Sequence, residues 1–378
     1  MNGMNGMNEK GKANFVNRRR ILAGAAAGTA LAVTGMPMPA IGQGLTKIKL
    51  TLPWLPQGSQ LWPFVAKERG FWRKRGLDVE IVRGFGSNAA IQTLVQRQTD
   101  VGIIAVPSIM LSAAQGVPLR SFGIVGYDLG MGILTLEEGP IKTLKDLEGR
   151  KLGTTPPSAE APYVDAFLQG SNVDLSKVSR VALQGNVLDS SLLNKQVDAI
   201  SAVATSNLPS LLSQSTKLRF FPMNSAGINT YSLGLTVTPE YASANRAAVE
   251  AWVDGMNEGI KYFMLNFEES VDLFVNAVPE VKMSATGKVH TRYGAGLALA
   301  TMMAPELRDH GLGWADMASL NKQTDLVMKF GAPPTAKRPD VGAIFTNEFA
   351  GRLKLTAQED ASVRKTAAEF ARHLNFKV

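Results

Sequence analysis

KIKLTLPWLPQGSQLWPFVAKERGFWRKRGLDVEIVRGFGSNAAIQTLVQRQTDVGIIAV, residues 47–106, carries the pattern from which the fold follows. KIKLTL (47–52) alternates polar and apolar side chains, the period of a strand. Pro, Gly and Ser in PWLPQGSQ make a loop, and a short helix follows that ends at Gly70. LDVEIV (77–82) reads as a second strand, GFGSN (84–88) as a turn, and Ser87 as the N-cap of a helix whose apolar face is Ile91, Leu94 and Val95. VGIIAV (101–106) is apolar throughout, as a strand covered on both faces is, and Pro107-Ser108 opens a helix that stops at Gly116. Strand and helix alternating in this way predict parallel α/β architecture.

The pattern recurs. Leu94-Val95-Gln96-Arg97-Gln98-Thr99-Asp100, leading into VGIIAV, is echoed by Leu192-Leu193-Asn194-Lys195-Gln196-Val197-Asp198, leading into AISAVA. Both read as a helix end, a Gln-x-Asp turn and a buried strand, so two similar lobes are expected. Between the copies, TLKDLEGRKLGTT (143–155) places Thr143 as the cap of a one-turn helix before a strand at 151–154, and Ser158 as the cap of a helix through about residue 170. Asp100 and Asp198 are read as turn caps. Beyond about residue 235 long amphipathic helices dominate, with Trp252, Met256, Ile260 and Phe263 at helical spacing. The expected organisation is lobe I over 43–128 plus 231–378 and lobe II over 129–230.

The 378 residues are 45% apolar and 19% charged, a balance suited to a globular chain of two or three domains. The formal charge of +8 divides at residue 42. Lys10, Lys12, Arg18, Arg19 and Arg20 against Glu9 leave +4 in the first 42 residues and +4 in all the rest. That basic start, the weakly apolar run ILAGAAAGTALAVTG and the small residues around PAIGQ make an export signal. Arg18-Arg19-Arg20-Ile21-Leu22 resembles the twin-arginine type, with Asn17 where Ser or Thr is favoured, and the general secretory route is the alternative. Cleavage near Ala40 to Gln43 would release a soluble, periplasmic, monomeric protein. A near-neutral remainder without Lys/Arg clusters among aromatics argues against nucleic acid. The absence of cysteine excludes disulfides, thiolate metal sites, a cysteine nucleophile and a lipid-modified cysteine anchor.

Ligands of open α/β sheets sit at the carboxyl ends of strands, beside helix N-termini. That rule selects Trp54 and Gln57 after the first strand, Phe85, Ser87 and Asn88 after the second, and Ser108 after the third. In lobe II it selects Thr155, Ser158 and Thr205, and where the chain re-enters lobe I, Tyr231. Trp54 and Phe85 are each read as a pocket wall or a core aromatic. Hydroxyls, amides and aromatics hold a small polar molecule well and are poor material for acid–base chemistry. No catalytic residue, metal site or cofactor is expected. His290, His310 and His373 show no metal-ligand spacing, GFGSN lacks the third glycine of a dinucleotide loop at Ala89, and neither a nucleophile elbow nor a Walker loop occurs.

Trp54-Leu55-Pro56, Ala66 to Phe71, Gly76 to Val79, Gly84 to Ser87 and Asp100 to Gly102 together resemble the N-terminal lobe of the substrate-binding proteins of ABC importers. The group is the one that serves sulfonates, taurine, nitrate and thiamine-pyrimidine precursors. TLKDLEGRKLG (143–153) and TNEF (346–349) extend the likeness, the latter toward the pyrimidine branch. The resemblance implies a type II two-lobed fold, each lobe a mostly parallel sheet flanked by helices, closing on a solute and delivering it to a membrane permease or to a sensor. It leaves the solute open between a sulfonate-like anion at the helix N-termini and a flat heterocycle stacked on Trp54. An enzyme on this fold builds the thiamine pyrimidine with a Cys-rich motif, which this chain lacks.

Overall fold

The computed structural model describes residues 44–374, and the expected export signal over 1–42 lies outside them. The first sheet collects β1 (Thr46–Thr51), β2 (Leu77–Val82), β3 (Val101–Ala105) and β4 (Arg120–Val125), linked by α1 (Trp62–Glu68), α2 (Ser87–Val95) and α3 (Val106–Ala114). The chain then crosses to a second sheet. That sheet holds β5 (Met131–Leu136), β6 (Lys151–Thr154), β7 (Ser179–Ala182), β8 (Ala199–Val203) and β9 (Leu218–Pro222), with α4 (Val164–Gly170), α5 (Leu188–Leu193) and α6 (Ala204–Leu212) between them. A second crossing returns it to the first sheet as β10 (Leu233–Val237).

Strand order is β2-β1-β3-β10-β4 in one sheet and β7-β6-β8-β5-β9 in the other. In each, four strands run the same way and one is reversed. The reversed strand is β10 in the first sheet and β5 in the second, antiparallel to both neighbours. These are the two strands that the crossings deliver, so each sheet is parallel except where the chain enters from its counterpart. The mostly parallel two-lobed α/β architecture read from the sequence is therefore what forms.

The internal repeat is structural. Arg97 and Lys195 both take the left-handed conformation with φ 56°, and the following amides close the same turn, Gln98 N donating to Thr93 O and Gln196 N to Ser191 O. Asp100 and Asp198 do not cap their own turns. Asp100 Oδ2 accepts Lys49 N at 2.7 Å and Asp198 Oδ2 accepts Lys151 N at 2.9 Å, each tying its buried strand to the start of the adjacent parallel one. Thr143 does cap its one-turn helix, in a reciprocal box with Asp146.

The rest is helical: α7 (Pro239–Ala244), α8 (Arg246–Leu265), α9 (Phe267–Ala277), α10 (Pro279–Lys282), α11 (Gly287–Met302), α12 (Pro305–His310), α13 (Met317–Phe330), α14 (Val341–Ile344) and α15 (Ala357–Ala371). Trp252, Met256, Ile260 and Phe263 form one buried face of α8, as their spacing requires, and Trp72 Nε1 donates to Trp252 O at 2.9 Å. Among the described residues no helix is long and apolar enough to cross a membrane.

The two crossings lie side by side. Leu129 N donates to Thr230 O and Ser232 N to Gly126 O, and the rings of Tyr127 and Tyr231 meet edge-on at 5.2 Å. Tyr231 Oη is 2.7 Å from Glu306 Oε1, and Tyr127 Oη donates to Trp314 O. Both crossings are thereby anchored to the C-terminal part of the chain, Tyr231 to α12 and Tyr127 to the loop that follows it.

Candidate functional site

Where the sheets face each other, the carboxyl ends of β1, β3, β6 and β8 turn toward a shared cleft with a free volume of about 50 Å³. Its walls come from both lobes and from α11, which contributes Ala298, Thr301 and Met302. That volume is a third of the roughly 150 Å³ that admits benzene to an apolar cavity. A ring-sized solute therefore enters while the lobes are apart and is held by rearrangement of the lining side chains as the lobes meet.

Four of the residues selected from the sequence line this cleft: Trp54, Ser87, Ser158 and Thr205. Two others bridge the lobes beside it. Gln57 Nε2 donates to Ser206 Oγ at 2.7 Å and to Ser59 Oγ at 3.0 Å, and Asn88 reaches Pro157 O through its backbone amide and Ser158 O through Nδ2, both at 3.3 Å. Ser108 and Thr155 are buried off the cleft, their hydroxyls without partners among the described residues. Tyr231 belongs to the crossing described above, where its amide donates to Gln323 Oε1.

Phe85 is neither wall nor core. Gly86 follows at φ +120°, which turns the chain so that Phe85 stands 58% exposed with the Arg83 guanidinium 4.7 Å over its ring. The same turn brings Gly86 against lobe II so closely that a Cβ would lie 2.3 Å from Pro157 O.

Neither serine is a helix cap. Gly86 holds the N-cap position of α2, and Ser87, the first helical residue, instead accepts Ala105 N at 3.0 Å, tying α2 to the end of β3. Ser158 Oγ lies 2.7 Å from Thr155 O and 2.6 Å from Glu160 Oε1, and a 3₁₀ turn over Ala161–Tyr163 separates it from α4.

The sequence reading missed Glu160. It lines the cleft at 2% exposure, its Oε1 within 2.6 Å of Ser158 Oγ and 2.9 Å of Ser201 Oγ. Burial pushes this carboxyl above the usual range, against the hydrogen bonds from Ser158 and Ser201 that favour its charged form. Also missed were Trp62 and Asn207 on the same walls, whereas Gln60 and Ser206, in the strand-end loops that the sequence points to, do line them. A clue to Glu160 lay in its setting, a lone acid inside Ala159-Glu160-Ala161-Pro162-Tyr163.

Asn207 is held from behind. Its Oδ1 accepts Val203 N at 3.0 Å, and its Nδ2 donates to Asp189 Oδ1 at 2.7 Å. Enclosure pushes Asp189 up to about 6, outweighing the hydrogen bonds from Asn207 and Ser210. An acid raised in the folded state binds its proton more tightly folded than unfolded, so its contribution is most favourable at low pH and declines as pH rises through about 6. Asp189→Asn removes that decline. In urea unfolding the variant is expected to gain about 2 kcal/mol relative to wild type between pH 4 and pH 7. A difference that stays flat across that range would contradict the assignment.

No Lys, Arg or His stands among the described residues lining the cleft, and among the described residues no three His, Asp or Glu side chains converge as a metal site would require. The cleft offers hydroxyls, amides, two indoles and one carboxyl, a set suited to holding a small polar molecule from two sides.

The model of the family described as NMT1/THI5 like matches residues 61–270. A relative described as a thiamine biosynthesis protein in Haemophilus influenzae is 25% identical over 62% of this chain and 74% of its own length. The formylaminopyrimidine-binding protein of Halalkalibacterium halodurans is 20% identical over 62% and 71%. The 4-amino-5-hydroxymethyl-2-methylpyrimidine phosphate synthase of Schizosaccharomyces pombe is 26% identical over 28% and 31%. The same fold occurs in the periplasmic nitrate-binding protein of Synechocystis PCC 6803, with a TM-score of 0.60 at 12% identity, covering 88% of this chain and 92% of that one. It occurs too in the periplasmic aliphatic sulphonate-binding protein of Escherichia coli, with a TM-score of 0.56 at 17% identity, covering 82% and 94%. With the matched segment running from the start of α1 through both crossings into α9, the chain belongs to the NMT1/THI5-like family.

Proposed function

We propose that this chain is an extracytoplasmic receptor that captures a small organic solute in the cleft between lobe I (43–128 plus 231–378) and lobe II (129–230) and hands it, unchanged, to the permease of an ABC importer. The observation that carries this reading is that the cleft is walled by both lobes and spanned by direct contacts between them, Gln57 to Ser206 and Asn88 to Ser158. Such contacts form only when the lobes meet, so a solute that binds both walls shifts the population toward closure. The basic leader over 1–42 supports export to the periplasm, and the binding proteins among the relatives and structural neighbours support the class of function.

Two solute classes are compatible with those likenesses, a flat heterocycle such as a pyrimidine precursor and a sulfonate- or nitrate-like anion. A thermal-shift screen of the purified protein against pyrimidines, aromatic acids, alkanesulfonates, taurine and nitrate tests the receptor reading. A true solute at 100 times its Kd adds about 2.7 kcal/mol of stability, and a broad panel without any shift would count against it. The second reading, an exported enzyme of small-molecule metabolism, draws on the relatives named as synthases. Turnover of any solute that binds would favour it.

A further inference from the structure

Glu160 holds the one ionisable side chain on the cleft wall among the described residues, and half of it is unsatisfied. Oε1 has Ser158 and Ser201 beside it, whereas Oε2 is buried without a hydrogen-bond partner among the described residues. Across the cleft, Gln60 Oε1 and Trp62 Nε1 from lobe I are buried and unpartnered too. Native proteins seldom leave buried polar atoms unpaired, and three of them gathered on one cleft call for a shared explanation.

We infer that Glu160 is the specificity-determining residue of this cleft: Oε2 pairs with the N–H edge of a planar nitrogen base, an amidine or an amino-substituted heterocycle, and the same carboxyl rejects permanent anions. The inference rests on the receptor reading and narrows it. With no cation on the cleft wall, a charged Glu160 has nothing to compensate it, and burial alone pushes its carboxyl toward the neutral form. A planar nitrogen base, strong or weak, resolves this in one of two proton arrangements. A charged carboxylate accepts from N–H⁺, or a neutral carboxyl donates to the bare ring nitrogen, and one proton lies between the two atoms in both cases. A sugar hydroxyl would satisfy Oε2 without neutralising it. A sulfonate or nitrate would bring a second negative charge into the same dry space. Trp54 and Trp62 put two indoles on the walls, and Gln60 Oε1 from the other lobe is a second unpartnered acceptor.

Calorimetric titration of the full protein with probes matched in size tests this. Benzamidine and 2-aminopyridine carry the N–H edge, and benzenesulfonate and nitrate carry the opposite charge. The wild type is expected to bind at least one of the two bases and to bind both anions at least about 30-fold more weakly. Loss of a charge-assisted hydrogen bond in Glu160→Gln should weaken base binding by about 10- to 100-fold and narrow the gap to the anions. Ser201→Ala, which keeps the carboxyl and removes one neighbour of Oε1, should weaken base binding less while leaving anions rejected, and it carries the test if Glu160→Gln fails to fold. Tighter binding of benzenesulfonate or nitrate than of either base, or base affinity unchanged in Glu160→Gln, overturns the inference. A solute of other chemistry emerging from the broad panel while both bases fail overturns it and leaves the receptor reading standing. If nothing in that panel binds, the receptor reading fails and the inference falls with it.

Discussion

Gly185→Val is expected to weaken solute binding by about 100-fold while leaving the unfolding free energy within about 0.5 kcal/mol of wild type. Gly185 lies in the loop between β7 and α5, where a Cβ would stand 2.4 Å from Cζ2 and 2.5 Å from Cη2 of Trp54 across the cleft. Those distances are well inside van der Waals contact, and packed interfaces do not absorb such overlap by compression. The glycine backbone there is not left-handed, so valine is tolerated within lobe II itself. What it opposes is the approach of the two lobes. Destabilising the closed arrangement by about 2.7 kcal/mol is equivalent to the stated loss. Calorimetric titration with the best solute from the screen, beside thermal unfolding, reads both halves of the prediction. Undiminished affinity would mean that solute binding does not require this contact.

Trp54→Ala should lower affinity at least tenfold with the fold intact. Its indole is part-buried, lines the cleft and seats its six-membered ring on Gly185 of the other lobe, so truncation removes both a flat wall and an interlobe contact. Burial and stacking of one aromatic are worth a few kcal/mol. Because both substitutions act on one contact, their effects are not additive. The double variant Gly185→Val/Trp54→Ala should bind no worse than Trp54→Ala alone, since the alanine vacates the space that valine enters. An additive loss would separate the two residues and return Trp54 to a purely local packing role.

How much of this was written locally along the chain differs from one residue to the next. Strand and helix alternation over 47–106 is a matter of nearest neighbours and period, and it gave the architecture. The copy at 192–203 was legible because Leu, Gln and Asp recur in register before an apolar run, at Leu94, Gln98 and Asp100 and again at Leu192, Gln196 and Asp198; the left-handed turn that Arg97 and Lys195 share emerges only in the structure. Trp54, Ser87, Ser158 and Thr205 could be picked out because strand ends in such sheets point at the ligand side. Phe85 could not be oriented. A single left-handed glycine after it decides which way the ring faces, and residue types do not disclose that φ in advance. Ser87 and Ser158 looked like caps because serine favours that position, but each found a competing partner, Ala105 N for one and Glu160 for the other.

Glu160 and the α11 wall escaped for another reason. Glu160 sits in a loop without periodicity, and its burial results from β8 bringing Ser201 beside it from 41 positions away. Thr301 and Met302 reach the cleft because α11 lies beside the entry loop of lobe I and beside α6 of lobe II. Both placements are products of long-range assembly, to which local pattern is blind.

Whether the cleft holds a solute without altering it decides between a receptor and an enzyme. Titration of the purified protein with the best solute from the screen, followed by mass analysis of the solute recovered from the complex, addresses this most directly. The predicted result is saturable binding of one molecule per chain, weakened about 100-fold in Gly185→Val, with the recovered solute chemically unchanged. Conversion of the solute, or no saturable binding of any member of the panel, would contradict it.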